Sequence, residues 1–304
     1  MFSNKYIFIY ATILVIAIAA LLSTTAKFLQ PFQERNARIE KIQDILTSAG
    51  IESTKENAEH LFDKHIIAEL LIDRHGKVIN DGRDPFDMDL KIELRKLQDL
   101  ETEKSNVEPV FPLFVCEYNG KKTYIVPMLG KGLYGPLWGY MALKDDYSTI
   151  LGVVFDHKGE TAGLGAEISN SSFHDLFAGK KIFDKDDKFV SVELVKGGVA
   201  NSRIKPEHGV DALSGATVTS TGLSAMIKQN LANYVNYFKN QRIEIILEQE
   251  REKFVQDSIA LDMELQAQAQ AEAEAARLRQ RAIWLEKQRA AEREAANQET
   301  STDR

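Results

Sequence analysis

The chain has 304 residues, 44% of them hydrophobic, and a formal net charge of −7. That is room for one generous domain with extensions, and the acidic balance excludes nucleic-acid binding, which needs a basic face to neutralise phosphates. Cys116 is the only cysteine, which excludes an internal disulfide framework, a zinc knuckle and a cysteine-held iron–sulfur cluster within the chain.

The first informative element is Tyr6 to Ala26, 21 residues without a charge. As a helix it would span roughly 31 Å, about the hydrocarbon thickness of a bilayer. A cleaved signal peptide is the rival reading, with Lys5 as its n-region and Thr24 and Ala26 as the small residues of a cleavage site. The apolar run exceeds a usual h-region, so the anchor is preferred. Charge does not orient it, because Lys5 precedes the span and Lys27, Arg35 and Arg38 follow.

Beyond the span, Ile39, Ile42, Ile45 and Leu46 stand at helical spacing and predict a short amphipathic helix that stops at Gly50. Ile66 to Asp73 reads as a strand, turning at His75-Gly76 and resuming from Lys77 to Ile79. The strongest hairpin signal is Phe111 to Tyr118, then Asn119-Gly120, then Thr123 to Val126, since Asn-Gly supplies the positive φ angles of a type I′ turn. Leu137 to Leu143, Ile150 to Asp156 and Phe189 to Val195 complete the short β runs. No βαβ alternation is visible. The fold class expected is therefore α+β: short-stranded mixed or antiparallel sheets with flanking helices, preceded by one transmembrane helix and followed by a long C-terminal helix.

Gly130-Lys-Gly132-Leu-Tyr-Gly135 satisfies the dinucleotide fingerprint G-x-G-x-x-G. That fingerprint has meaning only between a strand and a helix, and here Pro136 and a β-like run follow at once. His157-Lys-Gly-Glu160-Thr161-Ala-Gly163-Leu164-Gly165 follows a predicted strand and is dense in glycine. Its backbone could approach a flat ligand, but composition alone favours an ordinary surface loop.

In the run Asp211-Ala-Leu-Ser214-Gly215-Ala216-Thr217-Val-Thr219-Ser220, three small residues precede the Thr217 hydroxyl. Leu223, Met226, Ile227, Asn230, Leu231 and Tyr234 then trace an amphipathic helix, for which Thr219, Ser220 and Thr221 are natural N-caps. A phosphate on Thr217 would lie near that helix start, where free N–H groups favour an anion. The bland reading is a capped helix start with nothing bound, and the four residues Ser-Gly-Ala-Thr alone do not overturn it.

After Gly222 the chain has neither glycine nor proline, which predicts a long helix. Ala271, Ala275, Leu278, Ala282 and Leu285 follow coiled-coil spacing, while Asp257 and Gln268 interrupt it. A solvated single helix and a partner-binding coiled coil both remain open.

The motif from Asp211 to Ser220 resembles the flavinylation site of FMN-binding domains, in which a flavin transferase esterifies FMN phosphate to the last threonine of Ser-Gly-Ala-Thr. Together with Leu129 to Leu143 and His157 to Gly165, in that order behind an anchor, the chain is similar to the C subunits of the sodium-translocating NADH:quinone reductases. The resemblance implies an electron-transfer flavoprotein subunit carrying covalent FMN on Thr217. It implies cofactor contacts from Asp211, Ser214, Gly215, Ala216, Leu133, Tyr134, Trp138, Glu160, Thr161, Gly163 and Leu164. It further implies no catalytic or metal-ligating residues, NADH and quinone sites on other subunits, and a bilayer contact through Tyr6 to Ala26. The location implied is the inner membrane, single-pass, with the soluble domain on the periplasmic side. The domain division expected is 1–27 cytoplasmic tip and anchor, 28–239 FMN-binding domain and 240–304 helical extension. Alternatives are the related flavin-bearing G subunit of the ferredoxin:NAD ion-pumping complex, a flavin-free anchored scaffold with a coiled-coil tail, and a secreted flavoprotein reductase.

Overall fold

The computed structural model describes residues 3–302. The chain divides into two compact units, Met1–Arg242 and Ile243–Arg304.

The first unit opens with α1, Asn4–Ser48, a single 45-residue helix. The sequence suggested two segments, an apolar span and a separate amphipathic helix. They form one element because most of the residues between them, including Gln33, Glu34, Arg35, Ala37 and Arg38, are good helix formers. Pro31 lies inside this helix, where its missing N–H leaves the Lys27 carbonyl without its intrahelical donor. The helix is long and apolar enough to cross a membrane, and its most apolar window buries nothing. Its last turns differ: Ile39, Ile42, Ile45 and Leu46 are buried in the core. Gly50, at φ +77, follows the helix end and takes the left-handed conformation that closes it.

A six-stranded antiparallel sheet follows, in the spatial order β2-β1-β3-β4-β5-β6. Its strands are β1 Ile66–Asp73, β2 Val78–Ile79, β3 Val110–Tyr118, β4 Lys121–Lys131, β5 Pro136–Leu143 and β6 Ile150–His157. β3 and β4 are joined at Asn119-Gly120, with φ +52 and +71, and Tyr118 pairs Lys121. This is the type I′ hairpin that Asn-Gly predicts.

Two helices, α2 Ala58–His65 and α3 Leu90–Glu101, were not legible in advance. On one face of the sheet, the end of α1 packs with Ala58 and Phe62 of α2 against Phe114, Ile125, Tyr140 and Ala142. Beyond a four-residue helix, α4 Ser171–His174, lies a small parallel pair, β7 Glu193–Val195 and β8 Gly209–Asp211. The expected strand Phe189 to Val195 shrinks to β7, with Phe189 only bridging Phe183.

α5, Thr217–Ala232, covers the other face of the sheet. Its predicted apolar stripe is buried: Leu223, Met226, Ile227, Asn230 and Leu231. Asn230 Nδ2 donates to the Leu129 carbonyl at 2.9 Å and its Oδ1 accepts from the Leu129 N–H at 3.3 Å. An amide side chain thus supplies both hydrogen bonds that a neighbouring strand would offer.

The uninterrupted helix expected after Gly222 is in fact broken. α6, Val235–Thr302, starts afresh after Asn233 and Tyr234. No breaker residue signals this. Tertiary packing does it: Tyr234 is completely buried and its hydroxyl donates to the Pro112 carbonyl at 2.7 Å. From Ile243 to Ala291 the second unit is continuous helix, its side chains exposed except for a half-buried Ile245.

Candidate functional site

Three segments distant in sequence meet at the N-terminus of α5. The first is the β4–β5 turn, closed by the Gly132 N–H donating to the Gly135 carbonyl at 2.8 Å. The G-x-G-x-x-G match is therefore a hairpin tip rather than a strand-to-helix phosphate loop. The second is the loop after β6, where the Glu160 N–H donates to His157 Nδ1 at 3.1 Å. The third is α5 itself.

Glu160 ties them together. Its side chain is 7% exposed; Oε1 accepts from the Tyr134 N–H at 2.9 Å and Oε2 accepts from the Thr219 hydroxyl at 2.6 Å. Glycines make the approach possible. A Cβ on Gly132 or Gly165 would come within 2.4 and 2.7 Å of the Glu160 carboxylate oxygens, and one on Gly222 would lie 2.3 Å from the Lys131 carbonyl.

The helix begins at Thr217, with Ala216 at the N-cap. This corrects the expectation that Thr219, Ser220 and Thr221 cap it. Each of those hydroxyls is otherwise engaged: Thr219 with Glu160, Ser220 accepting from the Leu213 N–H at 3.2 Å, and Thr221 donating to the Thr217 carbonyl at 2.9 Å. Alanine has no capping group, so the N–H groups of Thr217, Val218 and Thr219 precede the first intrahelical bond, which runs from Ser220 to Ala216, without a side-chain cap. The hydroxyls of Ser214 and Thr217 are exposed and, among the described residues, make no hydrogen bond within the chain.

Beside Thr217 lies a recess of about 520 Å³, within the range of small-molecule and cofactor sites. Asp211, Ser214 and Gly215 line it together with Lys196, Gly197 and Gly198. Asp211 Oδ1 accepts from the Val199 N–H at 2.7 Å, so that carboxylate fixes the Gly197-Gly198 turn, where φ is +82 and +90. This turn, with Lys196, was not anticipated. A Lys-Gly-Gly triplet is a weak signal, and only the β7–β8 pairing brings it into the same recess as Thr217.

Of the other sequence-derived candidates, Leu133, Tyr134 and Leu164 are exposed apolar side chains on the two loops. Leu164 sits over Gly215, whose Cβ would lie 2.7 Å from Leu164 Cδ2. Val218, on the first turn of α5, is a further exposed apolar residue. Thr161 and Gly163 are exposed on the same loop as Glu160, and Ala216 is buried. Trp138 is not brought to this cluster. It lines a separate recess of about 240 Å³ with Lys41, Pro85 and Leu129. Strand alternation explains this: Leu137 points toward Gly132, so its neighbour Trp138 points to the opposite face of the sheet.

An anion fits here. The uncapped N–H groups and the helix dipole favour negative charge at Thr217, and Lys196 lines the same recess. Exposed apolar side chains at positions 133, 134, 164 and 218 offer a surface for a flat ring system.

Comparison with known proteins agrees with this geometry. The FMN-binding domain family matches residues 132–232. The C subunit of the Na(+)-translocating NADH-quinone reductase of Pseudomonas aeruginosa is 32% identical over 234 residues, 71% of this chain and 88% of its own length. The chain belongs to this C-subunit family. The corresponding subunit of Vibrio alginolyticus is 30% identical, over 67% of this chain and 80% of its own length. A crystal structure of the C subunit from Parabacteroides distasonis superposes with a TM-score of 0.59 at 35% identity, covering 69% of this chain and 96% of that one.

Proposed function

We propose that this protein carries FMN esterified through its phosphate to the Thr217 hydroxyl and relays electrons within a membrane-bound, sodium-translocating NADH:quinone reductase. One observation carries the choice of Thr217. It is the exposed, unengaged hydroxyl at the first residue of an uncapped helix, inside the segment that matches FMN-binding domains. Bound there, FMN supplies the redox centre.

The chain's own residues bind and orient. The N–H groups of Thr217, Val218 and Thr219, with Lys196, would hold the phosphate charge. Ser214, Gly215 and Ala216 leave room beside the ester, and Asp211 keeps the Gly197-Gly198 turn in place. Leu133, Tyr134 and Leu164, with Thr161 and Gly163, would border the ring. Glu160 positions both loops against α5. Trp138, on the far face of the sheet, would serve the fold or a neighbouring subunit rather than the ring.

In this reading residues 1–27 are the cytoplasmic tip and anchor, 28–239 the FMN domain on the periplasmic side, and 240–304 a helical extension. A flavin transferase matures the chain, and neighbouring subunits supply the NADH and quinone sites. Expression of the full chain with a flavin transferase tests this. Flavin fluorescence should stay with the denatured polypeptide, persist in Ser214→Ala and vanish in Thr217→Val. Fluorescence that survives Thr217→Val would move the ester elsewhere. No retained flavin in the unaltered chain would favour the flavin-free scaffold.

A further inference from the structure

The second unit carries charge in two blocks. From Glu248 to Glu274 there are eight acidic and two basic residues, a net of −6; from Ala275 to Ala291 there are five basic and one acidic, a net of +4. Both blocks lie on one continuous, exposed helix. With no glycine or proline after Gly222, the helix has no hinge on which to fold back upon itself.

A seven-residue seam runs along it. One row holds Leu247, Phe254 and Leu261, continuing through Gln268 to Ala275 and Ala282. The companion row, three residues on, begins with Glu250, Asp257 and Glu264 and ends with Ala271, Leu278 and Leu285. The large apolar members of both rows are exposed among the described residues.

We propose that this extension pairs with the same helix of a second copy, in antiparallel orientation. Running the copies in opposite directions sets Leu247 opposite Leu285, Phe254 opposite Leu278 and Leu261 opposite Ala271. The same register sets Glu250 opposite Ala282 and Asp257 opposite Ala275, beside the arginines 277, 279 and 281 of the second copy. The interruptions at Glu250 and Asp257 thus each face an alanine with arginines nearby, Glu264 faces Gln268, and residues 248–257 of each copy lie along residues 275–284 of the other. Parallel pairing does the reverse. It stacks Glu250, Asp257 and Glu264 on their own copies inside the seam, with no counter-charge, which specifies against that orientation. The antiparallel pair is isologous and closes as a twofold dimer.

The test uses the full chain in detergent, co-expressed as two differently tagged variants, Leu247→Cys and Leu285→Cys. Cys116 is buried and free, so it does not compete for oxidation. The expected result is a disulfide-linked heterodimer carrying both tags, with little cross-linking when either variant is expressed alone, and a sedimentation mass of twice the chain for the unaltered protein. Reversing Arg277, Arg279 and Arg281 to Glu should return that mass to one chain. A cross-link formed by Leu247→Cys alone would establish the parallel orientation and overturn the proposal. So would a dimer lacking the 247–285 link, or an unaltered chain that sediments as a monomer.

Discussion

Glu160 and Thr217 divide the labour of the site, one by being buried and the other by being exposed. A buried carboxylate that accepts from two donors is costly to delete, because each orphaned donor costs about 1–3 kcal/mol. Glu160→Ala should therefore lower the thermal midpoint clearly and reduce flavin attachment. Glu160→Gln should do so less, since its oxygen can accept from the Tyr134 N–H while its amide donates to the Thr219 oxygen. Equal losses in the two variants, read by thermal melts of the detergent-solubilised chain, would contradict this account. Asp44, beyond the apolar span on the buried end of α1, is a second residue with a readable consequence. Burial, then the nearby Glu40 and Asp156 charges, push its carboxyl up to about 7 from an ordinary 3.8. Between those values the folded state holds the proton more tightly than the unfolded chain. Stability should therefore fall as pH rises from about 4 to about 7 and level off above, by roughly 2–4 kcal/mol at most. Asp44→Asn should flatten that slope and raise the melting point at alkaline pH relative to the unaltered protein.

At the scale of elements, the contact between α5 and β4 sets the shape of the site. Gly222 lies against the Lys131 carbonyl, and a methyl group there would stand 2.3 Å from a backbone oxygen that cannot swing away. Gly222→Ala should push α5 off the sheet at a cost of about 1–3 kcal/mol and lower the flavin yield with it. Gly159→Ala, with nothing within 4 Å of its Cβ, is the control that should change neither. The elements themselves were legible where local chemistry dictated them. Asn119-Gly120 announced its hairpin, and the stripe from Leu223 to Leu231 announced its buried face. What escaped was set by distant partners: the break at Tyr234, made by a hydroxyl reaching Pro112, and the start of α5 at Thr217. There the apparent capping hydroxyls are taken by Glu160, by the Leu213 N–H and by the Thr217 carbonyl. Of the candidate site, motif resemblance pointed to Thr217 and to the two loops that the fold brings beside the start of α5. Lys196 became visible only through strand pairing, and Trp138 lies away from the Thr217 cluster because motif resemblance carries no strand register.

For the whole molecule, the continuity of α1 decides how anchor and domain depend on each other. Its apolar window is entirely exposed and its buried residues begin at Ile39. The span therefore contributes no packing to the core, while the last turns of the same helix are indispensable to it. Removing residues 1–27 should give a polypeptide that stays in solution without detergent, melts within a few degrees of the full chain and accepts flavin at Thr217 in vitro. Removing residues 1–48 takes Ile39, Ile42, Ile45 and Leu46 out of the cluster around Phe114 and Tyr140. Loss of a single such side chain costs about 2–5 kcal/mol, so four together exceed the stability of an ordinary domain. The longer truncation should lack a cooperative transition altogether. Intact mass of the full-length product separates anchor from signal in the same preparation: a mass including residues 1–26 identifies the span as retained, and a chain starting at Lys27 would show it to be cleaved. Both products keep the core intact, because the cleavage position lies 12 residues before the first buried side chain of α1.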